Sequence, residues 1–219
     1  MLQLVLTEHP PAVTRALARE YEGLRRLLAR LAGAPVRATA YTELDNLGGA
    51  QAMVLSGSYA PWAAHEPRAL ARLGDVVRGY DGPVLGICAG MQLQVAFAGG
   101  AVAHRDRPRV GFARVEVLDN RDLLRDVGPA PTAYEHHTDE VVELPDELRV
   151  LARSEECAVE AIAAPERRWW GTQFHPERFT REHPAGEAVL RAFFALSGGA
   201  HGLGSFAAAT DSGGANELE

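Results

Sequence analysis

Gly86-Ile87-Cys88-Ala89-Gly90 places a cysteine between glycines two residues before and two residues after it. The apolar run Val84–Ile87 predicts a strand ahead of the motif, and Ala89–Ala98 predicts a helix behind it. A sharp strand-to-helix turn of this kind lifts a nucleophile above a sheet, and the glycines leave it room. The thiolate is the reactive form of cysteine, and a helix N-terminus favours an anion. The five residues alone also fit a buried cysteine in a glycine-rich turn; the flanking strand and helix favour the nucleophile. Gln173-Phe174-His175-Pro176-Glu177 supplies what a thiolate would need. His175 can act as a base and then as an acid for a leaving amine, and Glu177 can hold the imidazole in one tautomer. A His-x-Glu pair is common on solvated turns, but the apolar run Trp169–Phe174 predicts that this one leaves a buried strand.

Positions 88 and 175 need a scaffold that brings them together. Leu2–Leu6, Val36–Ala40, Ala52–Leu55 and Val84–Ile87 read as strands, and Val13–Leu31, Pro67–Val77 and Ala89–Ala98 as helices between and after them. This rhythm predicts an α/β fold with an open, mostly parallel central sheet flanked by helices. Ligands of such sheets bind outside the carboxyl ends of the strands. Ser56-Gly57-Ser58 and Gly86–Gly90 both fall there. In the second half, Val110–Leu118, Thr132–Tyr134, Glu140–Leu144, Leu148–Ala152, Ala158–Ile162 and Trp169–Phe174 read as short strands, a small antiparallel addition or a return to the sheet. Phe179–Leu196 contains the last helix, after Pro184. The arginine-rich stretch His104–Arg109 reads as a solvated loop, and Cys157 as a small core residue. Trp169 and Trp170 alternate along a strand, which puts one in the core and the other on a candidate partner surface. Residues 1–197 are expected to form one domain, and 198–219, rich in Gly, Ala and Ser, a disordered tail.

The 219 residues are 47% hydrophobic and 23% charged, which excludes a mostly disordered chain. A net charge of −7 argues against nucleic acid as a partner and against a basic membrane-surface module. All 22 basic residues are arginine, so lysine Schiff bases, lysine general bases and a phosphate-binding lysine are excluded. Two cysteines are too few for a disulfide framework or a zinc cluster. The run Met1–Leu6 is too short for a signal-peptide core, and no apolar stretch approaches the ~20 residues of a membrane span. A soluble protein of the reducing cytoplasm is expected. Adjacent His136 and His137 should point to opposite faces of a strand, so at most one could join His175. No metal site is expected from these three.

Gly86–Gln92 together with Gln173–Glu177, in this order and separation, resembles the class I glutamine amidotransferases of the Cys-His-Glu type. The resemblance covers Leu2 to Ser197. Gly111–Leu118, Glu135–Leu144 and Ala152–Ala161 look most like the amidotransferase domain of GMP synthetases. It implies that Cys88 is the nucleophile, His175 the acid and base, and Glu177 its orienter. The backbone N–H groups of Gly57 and Ala89 would form the oxyanion hole. Gln92, His136 and His137 would line the substrate pocket, with His137 and Asp139 fitting a His-x-Asp of the GMP-synthetase type. The implied reaction hydrolyses L-glutamine to glutamate and ammonia through a γ-glutamyl thioester, without a cofactor. The ammonia would pass to a synthetase subunit.

Three departures from the family pattern matter. Gly57-Ser58-Tyr59 stands where Gly-Gly-Pro is common, and His136 where the GMP-synthetase type usually has serine. The 219 residues also hold no ATP-pyrophosphatase domain, so any synthetase is expected to be a separate polypeptide. Two further readings stay open: a stand-alone hydrolase of γ-glutamyl amides, its pocket opened by the altered loop, and a binding protein that keeps the fold without turnover.

Overall fold

The computed structural model describes residues 1–198. The expected disordered tail lies outside the described residues, save for Gly198, which follows the last helix. The apolar runs of the first half form β1 (Leu2–Leu6), β2 (Val36–Ala40), β3 (Ala52–Leu55) and β4 (Val84–Ile87). Every residue of β3 and β4 is buried, as strands covered on both faces must be. Helix α1 (Arg15–Ala32) starts where Thr14 Oγ1 accepts from the Leu17 amide, and it buries Leu17, Tyr21, Leu24, Leu28 and Leu31 along one stripe. Helix α2 (Pro67–Arg78) packs on the opposite face of the sheet, through Leu73 and Val77. Helix α3 (Ala89–Phe97) is buried from Ala89 through Val95 because it is covered by the sheet and by the second half of the chain.

That second half comprises β5 (Ala101–Arg114), β6 (Glu116–Val117), β7 (Thr132–Glu143), β8 (Arg149–Arg153), β9 (Ala161–Ala164), β10 (Trp169–Thr172) and α4 (Ala185–Ser197). The main sheet has eight strands in the order β2-β1-β3-β4-β10-β9-β8-β6. Pairing is parallel from β2 to β10 and antiparallel beyond it. β5 and β7 form a separate two-stranded antiparallel arm. No described helix is long and apolar enough to cross a membrane.

Several expectations for this half change. His104–Arg109 is not a loop but part of β5, with its pairing to β7 interrupted between His104 and Arg109. The ribbon is largely exposed there, so no apolar alternation marks it as a strand. Thr132–Tyr134 and Glu140–Leu144 are parts of one strand, β7, and the strand expected at Ala158–Ile162 begins at Ala161. Trp169 and Trp170 are both buried, at 1% and 5% exposure, so neither offers a partner surface. β10 lies between β4 and β9 with helices on both faces: Trp169 joins the α2–α3 layer, and Trp170 meets Phe193 of α4 edge-on.

Candidate active site

β4 is followed at once by Cys88, whose amide still donates to Thr172 O at 2.7 Å while its carbonyl accepts from the Gln92 amide of α3. Between these two bonds the backbone must reverse within one residue. Cys88 does so at φ 51°, ψ −108°, a strained conformation for a residue with a side chain. The flanking glycines permit the turn by close approach. A Cβ on Gly86 would strike Gln94 and the Met91 amide, and one on Gly90 would strike the Leu55 carbonyl of β3. The glycines therefore let α3 lie directly on the strands, and Cys88 stands at the sheet's carboxyl edge.

β10 delivers the histidine. It runs parallel to β4 and in register with it, Thr172 beside Ile87, so the chain leaving β10 passes Cys88. Thr172 Oγ1 donates to Phe174 O, and the His175 amide donates to Tyr134 O of the arm at 2.8 Å. These bonds fix the imidazole between Cys88 and Glu177. Its Nδ1 lies 2.7 Å from Glu177 Oε1, and its Nε2 3.4 Å from His136 O. Cys88 Sγ lies 3.8 Å from the same carbonyl and 3.5 Å from Gln173 Nε2. Burial would lower the His175 pKa, but the charges of Glu177 and Cys88, and hydrogen bonds to both, outweigh it and hold the pKa well above the usual histidine range. Burial likewise raises the Glu177 carboxyl, and the charge and hydrogen bond of His175 outweigh it, so the net shift is downward. The pair thus favours imidazolium beside carboxylate.

Gly57 meets the same ring from β3. A Cβ there would stand 3.0 Å from His175 Cε1 and 3.7 Å from Cys88 Cβ. Its carbonyl accepts from Thr7, Ser56 and Tyr21 hydroxyls, while no backbone hydrogen bond among the described residues uses its N–H. The Ala89 amide is in the first turn of α3, where helical N–H groups lack partners. Both amides are thus available near Cys88. The loop carrying Gly57 is held by a residue sequence reasoning missed. Glu8, 1% exposed, accepts from the Tyr59 amide at 2.7 Å, the Ala60 amide at 3.1 Å and Ser58 Oγ at 3.0 Å. A single glutamate after β1 carries no motif, so only the fold reveals the role.

The expected pocket residues divide. Gln92 donates to Asp139 O at 2.7 Å and to Gln173 Oε1 at 3.1 Å, tying α3 to the arm. His136 stands at the site, edge-on to Tyr59, with its pKa lowered by burial and by the charge of His175. His137 borders the site through the same strand, but its imidazole lies on the other face of β7, 3.1 Å from Glu135 Oε2. Gln173, wholly buried against Cys88, is a further site residue; it stood unused within the motif that carries His175.

His136 separates two cavities. The inner one, about 40 Å³, is lined by Cys88, Ala89, Gln92, Ser58, Trp62 and His136. The outer one, about 320 Å³, lies between α1 and the loops bearing Tyr59, His175 and Arg178. Arg178 donates to Glu20 at 2.9 Å and lies over the Tyr134 ring, forming the outer wall.

The glutamine amidotransferase class-I family model matches residues 13–196. Over 119 residues the chain is 40% identical to a glutamine-hydrolyzing GMP synthase subunit of Pyrococcus abyssi, a match covering 54% of this chain and 62% of that protein. The chain spans about half to three fifths of the length of the curated relatives it matches, from 50% to 62%. A Thermoplasma acidophilum chain provisionally assigned as the same GMP synthase subunit superposes with a TM-score of 0.72 at 27% identity, covering 90% of this chain and 94% of that one. A Thermotoga maritima glutamine amidotransferase shares the fold at a TM-score of 0.71 and 15% identity, with 90% and 98% covered. A family model spanning most of the sequence, on a fold these structures share, leaves one assignment: the chain belongs to the class-I glutamine amidotransferase family.

Proposed function

We propose that the chain is a glutaminase that hydrolyses the side-chain amide of L-glutamine. The observation that carries this reading is the meeting of Cys88, on its strained turn, with an imidazole held 2.7 Å from Glu177. The Cys88 thiolate attacks the carboxamide carbon. The Gly57 and Ala89 amides receive the charge that develops on oxygen, a contribution of the order of 10²–10³ in rate per donor. His175, as imidazolium, gives its proton to the departing nitrogen, and ammonia leaves. The neutral imidazole then takes a proton from water, which attacks the γ-glutamyl thioester, and glutamate is released with the thiolate restored. Glu177 keeps Nδ1 occupied so that Nε2 faces the reaction.

The relatives named as glutamine-hydrolyzing GMP synthase subunits support a partner: a separately encoded synthetase subunit that accepts the ammonia. The inner cavity supports dependence on that partner. A volume near 40 Å³ holds about one water, whose share of liquid is roughly 30 Å³, whereas ligand pockets begin near 300 Å³. A pocket this small has to widen before glutamine is seated against Cys88, and a docked subunit could hold it open. The isolated chain is expected to release glutamate slowly and to accelerate when a synthetase subunit is added. One observation favours a second reading, a stand-alone γ-glutamyl hydrolase: the outer cavity adjoins His175 and could receive a leaving group longer than ammonia. Parallel assays with glutamine and a γ-glutamyl dipeptide separate the two. Faster turnover of the dipeptide favours the hydrolase. A site in the cytoplasm follows from this assignment, and no cofactor enters the reaction.

A further inference from the structure

The face of β7 turned away from Cys88 closes over a second group of reactive side chains. Glu135 and His137 project from the strand, and Cys157 and Glu160 meet them from the β8–β9 connection. Ser154 builds the turn that presents the thiol: its amide donates to Cys157 O, and its hydroxyl accepts from the Cys157 amide. One donor atom from each of His137, Cys157 and Glu160 lies within 4.8 Å of the other two. Glu160 is 0% exposed, Glu135 and Cys157 1%. His137 Nε2 faces Glu135 Oε2 at 3.1 Å, while His137 Nδ1 and the Glu160 carboxylate oxygens have no hydrogen-bond partner among the described residues. Arg109 Nη1 stays 3.9 Å from Glu160 Oε1 and makes its hydrogen bond to Ser154 instead.

Two buried carboxylates, one facing only an imidazole and the other no closer than 3.9 Å to an arginine, are costly, and natural interiors pair such groups or coordinate a cation with them. We propose that His137, Cys157 and Glu160 form a structural site for a zinc-type divalent ion, with Glu135 closing its fourth side. Imidazole nitrogen, thiolate sulfur and carboxylate oxygen together select this class; calcium and magnesium would take oxygen alone. The charges balance, since two carboxylates and a thiolate oppose Arg109 and a divalent ion. Four protein donors leave no open position, which makes the site structural. The ion would pin the arm to the main sheet at the residue next to His136, whose carbonyl faces both Cys88 and His175.

The test uses the full chain, stripped with chelator and titrated with Co²⁺ or Zn²⁺. The sequence has two cysteines, so in Cys88→Ala the only thiol is Cys157. That variant is expected to bind one equivalent of Co²⁺ with a thiolate-to-cobalt charge-transfer band. Its zinc-loaded form should show one sulfur at about 2.3 Å by X-ray absorption. Zinc at a hundredfold excess over its dissociation constant should raise Tm by roughly 5–10 °C. Glu160→Gln should weaken binding at least about tenfold, the loss typical of a disturbed site. Absence of saturable binding in Cys88→Ala, or a zinc shell without sulfur, overturns the proposal, and neither result depends on a Cys157 variant that folds.

Discussion

Two sets of cysteine, histidine and glutamate lie on opposite sides of β7, and they are organised differently. Cys88, His175 and Glu177 sit at the carboxyl edge of the parallel strands, beside cavities, with the imidazole 2.7 Å from its carboxylate. Cys157, His137 and Glu160 are sealed where the antiparallel strands meet the arm; the imidazole faces a second buried carboxylate, Glu135, and Arg109 comes no closer than 3.9 Å to Glu160. The first cysteine is on a strained turn beside an imidazole that favours its protonated form. The second is in a relaxed turn, and burial, then the charge of Glu160, push its thiol well above the usual range. The same three residue types therefore suit opposite purposes. A nucleophile needs access and a partner that shares its proton, whereas donors for an ion need enclosure and an unmet charge.

The contrast is broken most severely through the proposed nucleophile. Cys88→Ala should lower glutamate release at least about 10³-fold, because no other group can form the thioester. Cys157→Ser should act on melting temperature instead; an equal loss of turnover in a well-folded Cys157→Ser protein would erase the distinction. Glu177→Gln comes next. It keeps the shape but offers Nδ1 an amide, and kcat should fall roughly 10²–10⁴-fold with KM less affected. Gly57→Ala is milder. The added methyl, 3.0 Å from His175 Cε1, must displace the ring, and a shift on the order of 1 Å costs roughly 10²-fold in kcat.

The smallest effect is a pH dependence of stability. The folded His175 pKa is raised, so its contribution is full below the unfolded value of about 6.5 and is lost as pH rises through the folded value. The folded Glu177 pKa is depressed, so its contribution is present above about 4.5 and is lost as pH falls through the folded value. Both describe one ion pair. The Tm difference between the parent and Glu177→Gln should therefore be widest between pH 4.5 and 6.5 and narrow on either side. A difference independent of pH would mean that the pair is not ionised in the folded chain.

The first half of the fold was legible because β3 and β4 are uninterrupted apolar runs and α1 and α2 carry apolar stripes. The proposed catalytic residues carry a local signature: Cys88 and His175 each stand within a five-residue motif at a strand end. The arm was legible in part: Val110 onward, Thr132–Tyr134 and Glu140–Glu143 read as strand, whereas the first stretch of β5 did not. β5 is exposed along much of its length, so neither a period of two nor a turn signal separates it from a loop. Trp169 and Trp170 misled because alternation assigns faces but does not say whether both are covered. Glu8, which holds the Gly57 loop, and the set at positions 135, 137, 157 and 160 depend on tertiary contacts between segments far apart in the chain. No short-range spacing encodes them.

The most direct test of the central claim is glutamate release from L-glutamine by the purified chain, measured beside Cys88→Ala, before and after addition of a candidate synthetase subunit. The parent should release glutamate slowly and faster with the subunit, and the variant should release none under either condition. Release that persists undiminished in Cys88→Ala would contradict it.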